Sequence, residues 1–193
     1  MRKIILLFLF SCWMVFSSSA QEESEPKSIP ISISYFGQSA IHPGIKVGTA
    51  FKLKSWSASK GEKVKLRDLV VQPQFAIYTR VGYNTNYYFL TDLGYRMQTQ
   101  DKRFYMIFSG GLGYLMQSEH LGFSVDLGSG DHTNKNREFR GYFIPTVSYE
   151  LGGNIKPKLG WFTKVAMGRQ FSGAKENSSV LFLDVGVKIK LKM

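Results

Sequence analysis

Three histidines have the side chains best suited to acid–base or nucleophilic chemistry in this chain: His42, His120 and His132. Together with serines and carboxylates, such histidines could form an acyl-transfer or deacylation site. Each lies outside the segments that alternate like strands, and none belongs to a His-x-Ser motif. His42 precedes Pro43 and Gly44, which is typical of a turn. The plain interpretation is three solvated loop histidines, and we expect no enzymatic activity.

The sequence contains no motif that predicts a cofactor or a metal ion. It has no P-loop, no HExxH and no GxGxxG that precedes a helix. Its single cysteine, Cys12, has no second cysteine with which to form a disulfide or a thiolate metal site. Gly110, Gly111 and Gly113 fall within a strand-like segment, where glycine allows neighbouring side chains to fit. We therefore expect no bound cofactor.

Five charged residues stand on the polar sides of alternating segments: Asp92, Arg96, Glu150, Lys164 and Asp184. If the opposite, apolar sides contact lipid, these side chains point into the interior of a barrel, where an unpaired charge is costly. We predict an interior polar network in which they pair and fill the lumen. A path for protons or ions is the alternative that these residue types leave open.

The alternation is clearest at the end of the chain. Successive side chains of a strand point to opposite faces, so this segment has one apolar face and one mostly polar face. The apolar face carries Leu181, Leu183, Val185, Val187, Ile189 and Leu191, and the other face carries Phe182, Asp184, Gly186, Lys188, Lys190 and Lys192.

Seven further segments show the same period of two, and none shows a sustained helical period. Strands of about ten residues with this period are typical of a transmembrane barrel. The predicted fold is therefore all-β, an eight-stranded antiparallel up-and-down transmembrane β-barrel. The facing of the fifth strand stays open because both of its faces are apolar. We predict strands at about 29–36, 45–54, 69–80, 87–98, 103–117, 139–151, 159–171 and 181–193.

An even number of strands places both chain ends on one side, which for an exported barrel is the periplasm. The interface aromatics should then be Trp56 and Trp161 on the periplasmic side, with Tyr35 and Tyr142 at the outer rim. The longest connection, 118–138, should be external and is the expected contact surface.

Three features fit this topology less simply. The connection 55–68 is long for a periplasmic turn, so either it extends as a longer hairpin or a strand is misplaced. Pro73 and Pro145 each remove a ladder donor, and a closed barrel has no edge strand to accommodate them. We expect both prolines to lie at bulges.

The first residues predict export. A basic start, a short apolar run and small residues before Ala20 are typical of a secretory signal peptide. A lipid-attachment site at Cys12 is the alternative. We divide the chain into a cleaved signal peptide at 1–20, a flexible leader at 21–28 and a β-barrel domain at 29–193.

The chain is strongly basic, with a formal net charge of +11. An exported chain meets little nucleic acid, so we expect no nucleic-acid partner. Basic residues cluster around the connection 55–68 and at the C-terminus, where they could lie near anionic headgroups or form a solvated rim. The cluster comprises Lys52, Lys54, Lys63, Lys65, Arg67, Lys188, Lys190 and Lys192.

The signal ending Ser17-Ser-Ser-Ala-Gln21 and the eight amphipathic strands resemble small outer-membrane β-barrel proteins of Gram-negative bacteria. The segment from Ser34 to Gly48 looks like the first hairpin of uncharacterised members. The resemblance covers about residues 29–193 and implies that the outer-membrane assembly machinery is a partner. Such proteins usually end in an aromatic residue that this machinery reads, whereas this chain ends in Met193.

We therefore expect an integral β-barrel of the cell outer membrane, with outer-membrane lipid as a partner and a structural or surface-interaction role. The partner of the external loop is unknown. Two alternatives stay open. One is a soluble secreted barrel that binds an apolar ligand inside, with its apolar faces turned inward. The other is an enzyme that modifies outer-leaflet lipid.

Overall fold

The alternating segments form strands throughout the described chain. The computed structural model describes residues 28–38, 42–60, 63–80, 84–99, 103–119, 139–171 and 178–192. No helix within these ranges is long and apolar enough to cross a membrane. The strands are β1 Ser28–Gln38, β2 His42–Thr49, β3 Phe51–Lys60, β4 Lys63–Arg80, β5 Asn84–Gln98, β6 Phe104–Glu119, β7 Phe139–Lys156, β8 Leu159–Gln170 and β9 Ser178–Lys192.

The strands form one closed antiparallel ladder. Neighbours pair in chain order from β3 to β9, and β9 lies beside β1. β2 pairs with β1 on one side and with β4 on the other, which closes the ring. Because β2 and β3 pair in turn with the same strand, β4, and are separated only by Ala50, they act as one strand. The described ring therefore has eight strands, as the sequence predicts.

The ring has two ends. One end, which we call the turn end, contains the start of β1 and the end of β9. It also contains the connections β3–β4, β5–β6 and β7–β8. At the other end lie the connections β1–β2, β4–β5, β6–β7 and β8–β9; we call it the loop end. The predicted external connection belongs to the loop end, but residues 120–138 lie outside the described residues.

Apolar side chains cover the outside of the ring. In β5, Phe89 and Leu93 are 53% and 51% exposed. The residues just before them, Tyr88 and Asp92, are each only 1% exposed. The same alternation runs along the other strands. The exposed large apolar side chains include Ile33, Ile45, Val47, Ile77, Phe89, Leu93, Phe108, Leu112, Val147, Val165, Met167, Leu181 and Val185.

The facing of β6, which the sequence left open, is fixed by its partners. Phe108 and Leu112 point outward, whereas Ile107 and Leu115 are buried inside. Ile107 packs in one interior cluster and Leu115 in another. The sequence was ambiguous here because this strand carries apolar side chains on both faces.

The predicted connection 55–68 is in fact part of a long hairpin. β3 and β4 stay paired until Lys60 and Lys63 face each other next to the connection. The prediction that the second strand ends near 54 and the third begins near 69 was therefore wrong at both boundaries. The longer-hairpin alternative is confirmed.

A bulge in β3 changes which side chains face outward. The register shifts between Lys52 and Lys54, so Leu53 is an extra residue. After it, Ser55 donates a hydrogen bond to Asp68 Oδ1 at 2.7 Å on the inner face. The sequence pattern placed Lys52 and Lys54 on one face; the bulge separates them, because an extra residue inverts the alternation.

Both prolines lie in gaps of the ladder, and the prediction that they lie at bulges was wrong. Pro73 lies in β4, in the gap between Gln74, which pairs with Gly48 of β2, and Val71, which pairs with Phe51 of β3. Pro145 lies between the β7–β8 ladder and an isolated bridge formed by Phe143. The register is the same on both sides of each gap, so the missing N–H costs one ladder bond and no bulge is needed.

Residues 29–191 form one compact unit. The predicted signal peptide and nearly all of the predicted leader lie outside the described residues; only Ser28 is described, as the first residue of β1. The division of the chain into signal, leader and barrel therefore stays a prediction.

Two adjacent residues of β8 test the facing. Val165 is 43% exposed and points outward, and Ala166 is 3% exposed and points inward. In lipid vesicles, we expect a membrane-soluble thiol reagent to label Val165→Cys and to leave Ala166→Cys unlabelled. Equal labelling of the two variants, measured by mass spectrometry on folded protein, would contradict the facing.

Candidate functional site

The interior of the barrel contains paired charges. Four cations of the interior each contact a carboxylate, so these charges neutralise one another in pairs. The four pairs in the described part of the chain are Lys46 with Asp184, Lys164 with Asp92, Lys188 with Glu150, and Arg96 with Asp68.

Lys164 connects opposite sides of the lumen. Its direct neighbours in the ladder are Glu150 on β7 and Asp184 on β9. Its ammonium nevertheless reaches across to donate to Asp92 Oδ2 on β5, and Gln74 Nε2 donates to the same oxygen at 2.8 Å. Lys164 and Asp92 are 2% and 1% exposed, so their contact spans the middle of the interior.

Lys46 and Asp184 form a second buried pair. Lys46 lies on β2 and Asp184 on β9, on either side of β1. The Lys46 ammonium also lies 5.1 Å from the centre of the Phe36 ring, a favourable distance for a cation–π contact. Lys46 therefore connects the charged middle layer to the aromatic layer above it.

Glu150 and Lys188 form the third pair, nearer the turn end. The Lys188 ammonium contacts the Glu150 carboxylate and lies 4.8 Å from the centre of the Tyr105 ring and 4.9 Å from that of Phe162. Both rings belong to a small interior cluster. A lysine at this position can thus be buried because one carboxylate and two ring faces surround it.

Arg96 and Asp68 form the pair closest to the turn end. Their Cα atoms are direct ladder partners, and Arg96 Nε donates to Asp68 Oδ2 at 2.8 Å. Ser55 donates to the other carboxylate oxygen. This pair is less enclosed than the other three, since 18% of the Arg96 side chain is exposed.

An aromatic layer fills the loop end of the interior. The rings of Phe36 and Phe182 stack with centroids 5.1 Å apart, and Tyr88 stacks on Phe182 at 5.2 Å. Tyr78 meets Phe36 edge-on at 5.5 Å. These rings belong to a continuous buried cluster that also includes Leu90, Leu115, Ile144, Ala166 and Val180.

Two glycines of β6 make room for this packing. A Cβ atom at Gly111 would lie 3.0 Å from Asp92 Cγ, and one at Gly113 would lie 2.7 Å from Tyr88 Cζ. Both distances are too short for a side chain. The sequence-based view that glycine in this strand lets neighbouring side chains fit is confirmed at these positions.

The charged layer borders a small cavity. This cavity of about 10 Å³, lined in part by Lys46, Gln72, Glu150 and Lys188, has room for roughly one water molecule. Within the described ranges, no group of three or more histidine, cysteine, aspartate or glutamate side chains could hold a metal ion. The arrangement is that of a filled lumen, as expected for an eight-stranded ring.

The structure places all five residues of the predicted network on the inner face: Asp92, Arg96, Glu150, Lys164 and Asp184. Only Asp92 and Lys164 contact each other directly. The other three contact Asp68, Lys188 and Lys46, which the sequence reasoning did not assign to the network.

The missed cations carried a recognisable signal. Lys46 and Lys188 stand opposite apolar residues in their alternating segments, the same signal that selected Asp184. Lys188 was instead expected near headgroups or in a solvated rim. Its pairing with Glu150 inside the barrel corrects that expectation, because its place in the alternation turns it inward.

The predicted interface aromatics are divided between the two faces. Trp56, Trp161 and Tyr35 are 36%, 38% and 45% exposed on the outside. Trp56 and Trp161 lie towards the turn end and Tyr35 towards the loop end. Tyr142 instead packs against the interior aromatic cluster. The alternation of β7 turns Phe143 outward and Tyr142 inward, so the prediction for Tyr142 was wrong.

The histidines are only partly described. His42 begins β2, where its Cα is the ladder partner of Gln38. His120 and His132 lie outside the described residues. The described structure therefore brings no two of them together.

Comparison with known proteins supports the fold. The N-terminal β-barrel domain of Pseudomonas aeruginosa OprF superposes with a TM-score of 0.57 at 13% identity, covering 85% of this chain and 97% of that one. Neisserial surface protein A (NspA) superposes with a TM-score of 0.54 at 10% identity, covering 86% and 95%. The outer membrane enzyme PagL superposes less closely, with a TM-score of 0.48.

At these identities the likeness concerns the fold alone. The chain is thus an eight-stranded β-barrel of the type found in OprF and NspA. No protein-family model and no curated protein sequence matches it.

The Lys164–Asp92 contact can be tested by removing one or both charges. We expect Asp92→Asn to destabilise the barrel by about 3–5 kcal/mol, because it leaves a buried ammonium without its carboxylate. Asp92→Asn with Lys164→Met should lose less than the single variant. Thr91→Ala, on the outer face of the same strand, is the control and should change stability by about 0.5 kcal/mol or less. Urea unfolding from lipid vesicles measures all three; a double variant no more stable than the single would contradict the pairing.

Neighbouring glycines provide a test of the interior packing. Gly111→Ala should destabilise the barrel by about 1–3 kcal/mol, since its new methyl group would overlap Asp92. Gly110→Ala should be tolerated, because the nearest atom to its Cβ position, the Thr146 carbonyl oxygen, is 4.0 Å away. Urea unfolding from lipid vesicles measures the stability of both variants. Equal losses of stability would contradict tight packing of the interior.

Proposed function

We propose that this chain is an integral outer-membrane β-barrel with a structural or surface-interaction role and no catalytic activity. The observation that carries the proposal is the facing of the strands. Apolar side chains such as Val147, which is 66% exposed, point outward, whereas the ion pairs point inward. A closed ladder with an apolar exterior is the strand architecture that suits a bilayer.

The facing argues against the soluble alternative. A secreted barrel that binds an apolar ligand would need its apolar faces inside and its charges outside. Here Lys164 and Asp92 occupy the middle of the interior, and stacked rings fill the loop end. The described part of the interior therefore offers no apolar chamber for a ligand, which argues against a ligand-binding lumen.

The surface role is supported by the arrangement of the two ends. In the proposed orientation the turn end faces the periplasm and the loop end faces outward, with the connection 118–138 as the contact surface for an external partner. NspA, which shares the fold, is a surface protein by name, and this favours the same location. Assembly by the outer-membrane machinery is part of this proposal.

Charged substitutions at two depths test whether lipid is the solvent of the outer face. Val147 lies midway along β7, and Leu191 lies at the turn end of β9. We expect Val147→Lys to lower stability in lipid vesicles by about 2–4 kcal/mol and Leu191→Lys by about 0–1 kcal/mol. The full-length protein should also fractionate with membranes and need detergent to stay folded.

The contrary result is equally clear. If Val147→Lys were neutral and the protein stayed folded and monomeric in plain buffer after osmotic release, the outer face would contact water. The membrane proposal would then be rejected.

A further inference from the structure

The outer face of the β3–β4 hairpin carries two cations, Lys54 and Arg67, that no carboxylate contacts within the described ranges. We propose that Lys54, Trp56 and Arg67 bind the headgroup of an anionic phospholipid, of the phosphatidylglycerol class, at the turn end of the barrel. This inference rests on the proposed membrane location and adds to it a lipid class and a site.

The bulge at Leu53 creates this surface. Beyond the bulge, Ser55 and Asp68 are ladder partners that bond on the inner face. The next pair along the hairpin, Trp56 and Arg67, therefore points outward, as does Lys54. Without the bulge, strict alternation from Lys52 would have turned both Lys54 and Trp56 inward.

The pairing of the charges differs between the two faces. The interior cations Lys46, Arg96, Lys164 and Lys188 each contact a carboxylate. Among the described residues, neither Lys54 nor Arg67 has such a partner, and Arg67 Nε is buried without any hydrogen-bond acceptor. A buried, unpaired guanidinium nitrogen is costly. Arg67 as a whole is only half-buried, so a phosphate from outside the chain can approach its guanidinium group and offer an acceptor.

The neighbouring side chains indicate that the anion carries acyl chains. Trp56 is 36% exposed, and its ring lies 5.8 Å from that of Tyr95. The bulge residue Leu53 is 46% exposed, and Leu69 is the ladder partner of Lys54. An aromatic pair between an apolar band and a cation matches the boundary between acyl chains and headgroups.

This geometry favours a lipid over the two other anions that could reach the hairpin. A free phosphate would gain nothing from the exposed Trp56 and Leu53. An acidic peptide segment would need charge but not an adjoining apolar band. Each basic residue near an anionic membrane surface contributes about a fivefold preference, so two cations suffice for a measurable selectivity.

Quenching of Trp56 fluorescence by brominated lipids measures this selectivity. In the full chain, Trp13→Phe and Trp161→Phe leave Trp56 as the only tryptophan of three. We compare brominated phosphatidylglycerol with brominated phosphatidylcholine in mixed vesicles and obtain their relative binding constant. We expect at least about a fivefold preference for phosphatidylglycerol, and near-equal binding after Lys54→Gln with Arg67→Gln.

Lys52→Gln is the matched control. Lys52 is also an exposed lysine of β3, but its ladder partner is Val70, whose side chain faces the interior. Its removal should leave the preference unchanged. Equal loss with Lys52→Gln, or an undiminished preference in the double variant, would overturn the site.

Two further results separate the possible failures. Soluble glycerol phosphate, added in excess, should not abolish the preference; if it does, the site binds a free anion and not a lipid. Equal quenching by both brominated lipids would reject the anionic site while leaving the membrane location intact. Quenching by neither lipid would instead reject the proposed function.

Discussion

The closed hydrogen-bonded ladder is the constraint on which the rest of this structure depends. Hydrocarbon offers no hydrogen bonds, so a strand edge within it would leave its N–H and C=O groups unsatisfied. The ring meets this requirement because β9 lies beside β1 and because β2 pairs with both β1 and β4. Closure also gives each strand one face inside and one outside, which turns a simple alternation of residues into two different surfaces.

The narrow interior then decides which polar groups can exist there. An eight-stranded ring is filled by its own side chains, and a buried charge without a partner is strongly destabilising. Lys164 satisfies this condition by reaching across the lumen to Asp92, and Lys188 by contacting Glu150 and two rings. The outward cations of the β3–β4 hairpin differ, since among the described residues no carboxylate contacts them, and we propose that an anionic lipid does.

Much of this arrangement could be predicted from sequence, because an apolar–polar alternation with a period of two shows which side chains share a face of a strand. In the C-terminal segment, the alternation alone assigns Asp184 and Val185 to opposite faces. Pairing partners were harder to predict: Asp92 contacts Lys164 across the lumen, and sequence spacing does not encode contacts between distant strands. The bulge at Leu53 was also missed, because an extra residue in an exposed basic segment leaves no break in composition. It inverted the predicted facing of Lys54.

Residue-resolved hydrogen exchange in lipid vesicles would test the closed ladder most directly. Amide exchange reports local opening of hydrogen-bonded structure. If the ring is closed, the amides in the middle of β1 and β9 exchange as slowly as those in the middle of β5 and β6. Fast exchange confined to β1 and β9 would show that these strands are free edges of an open sheet, and the barrel would be contradicted.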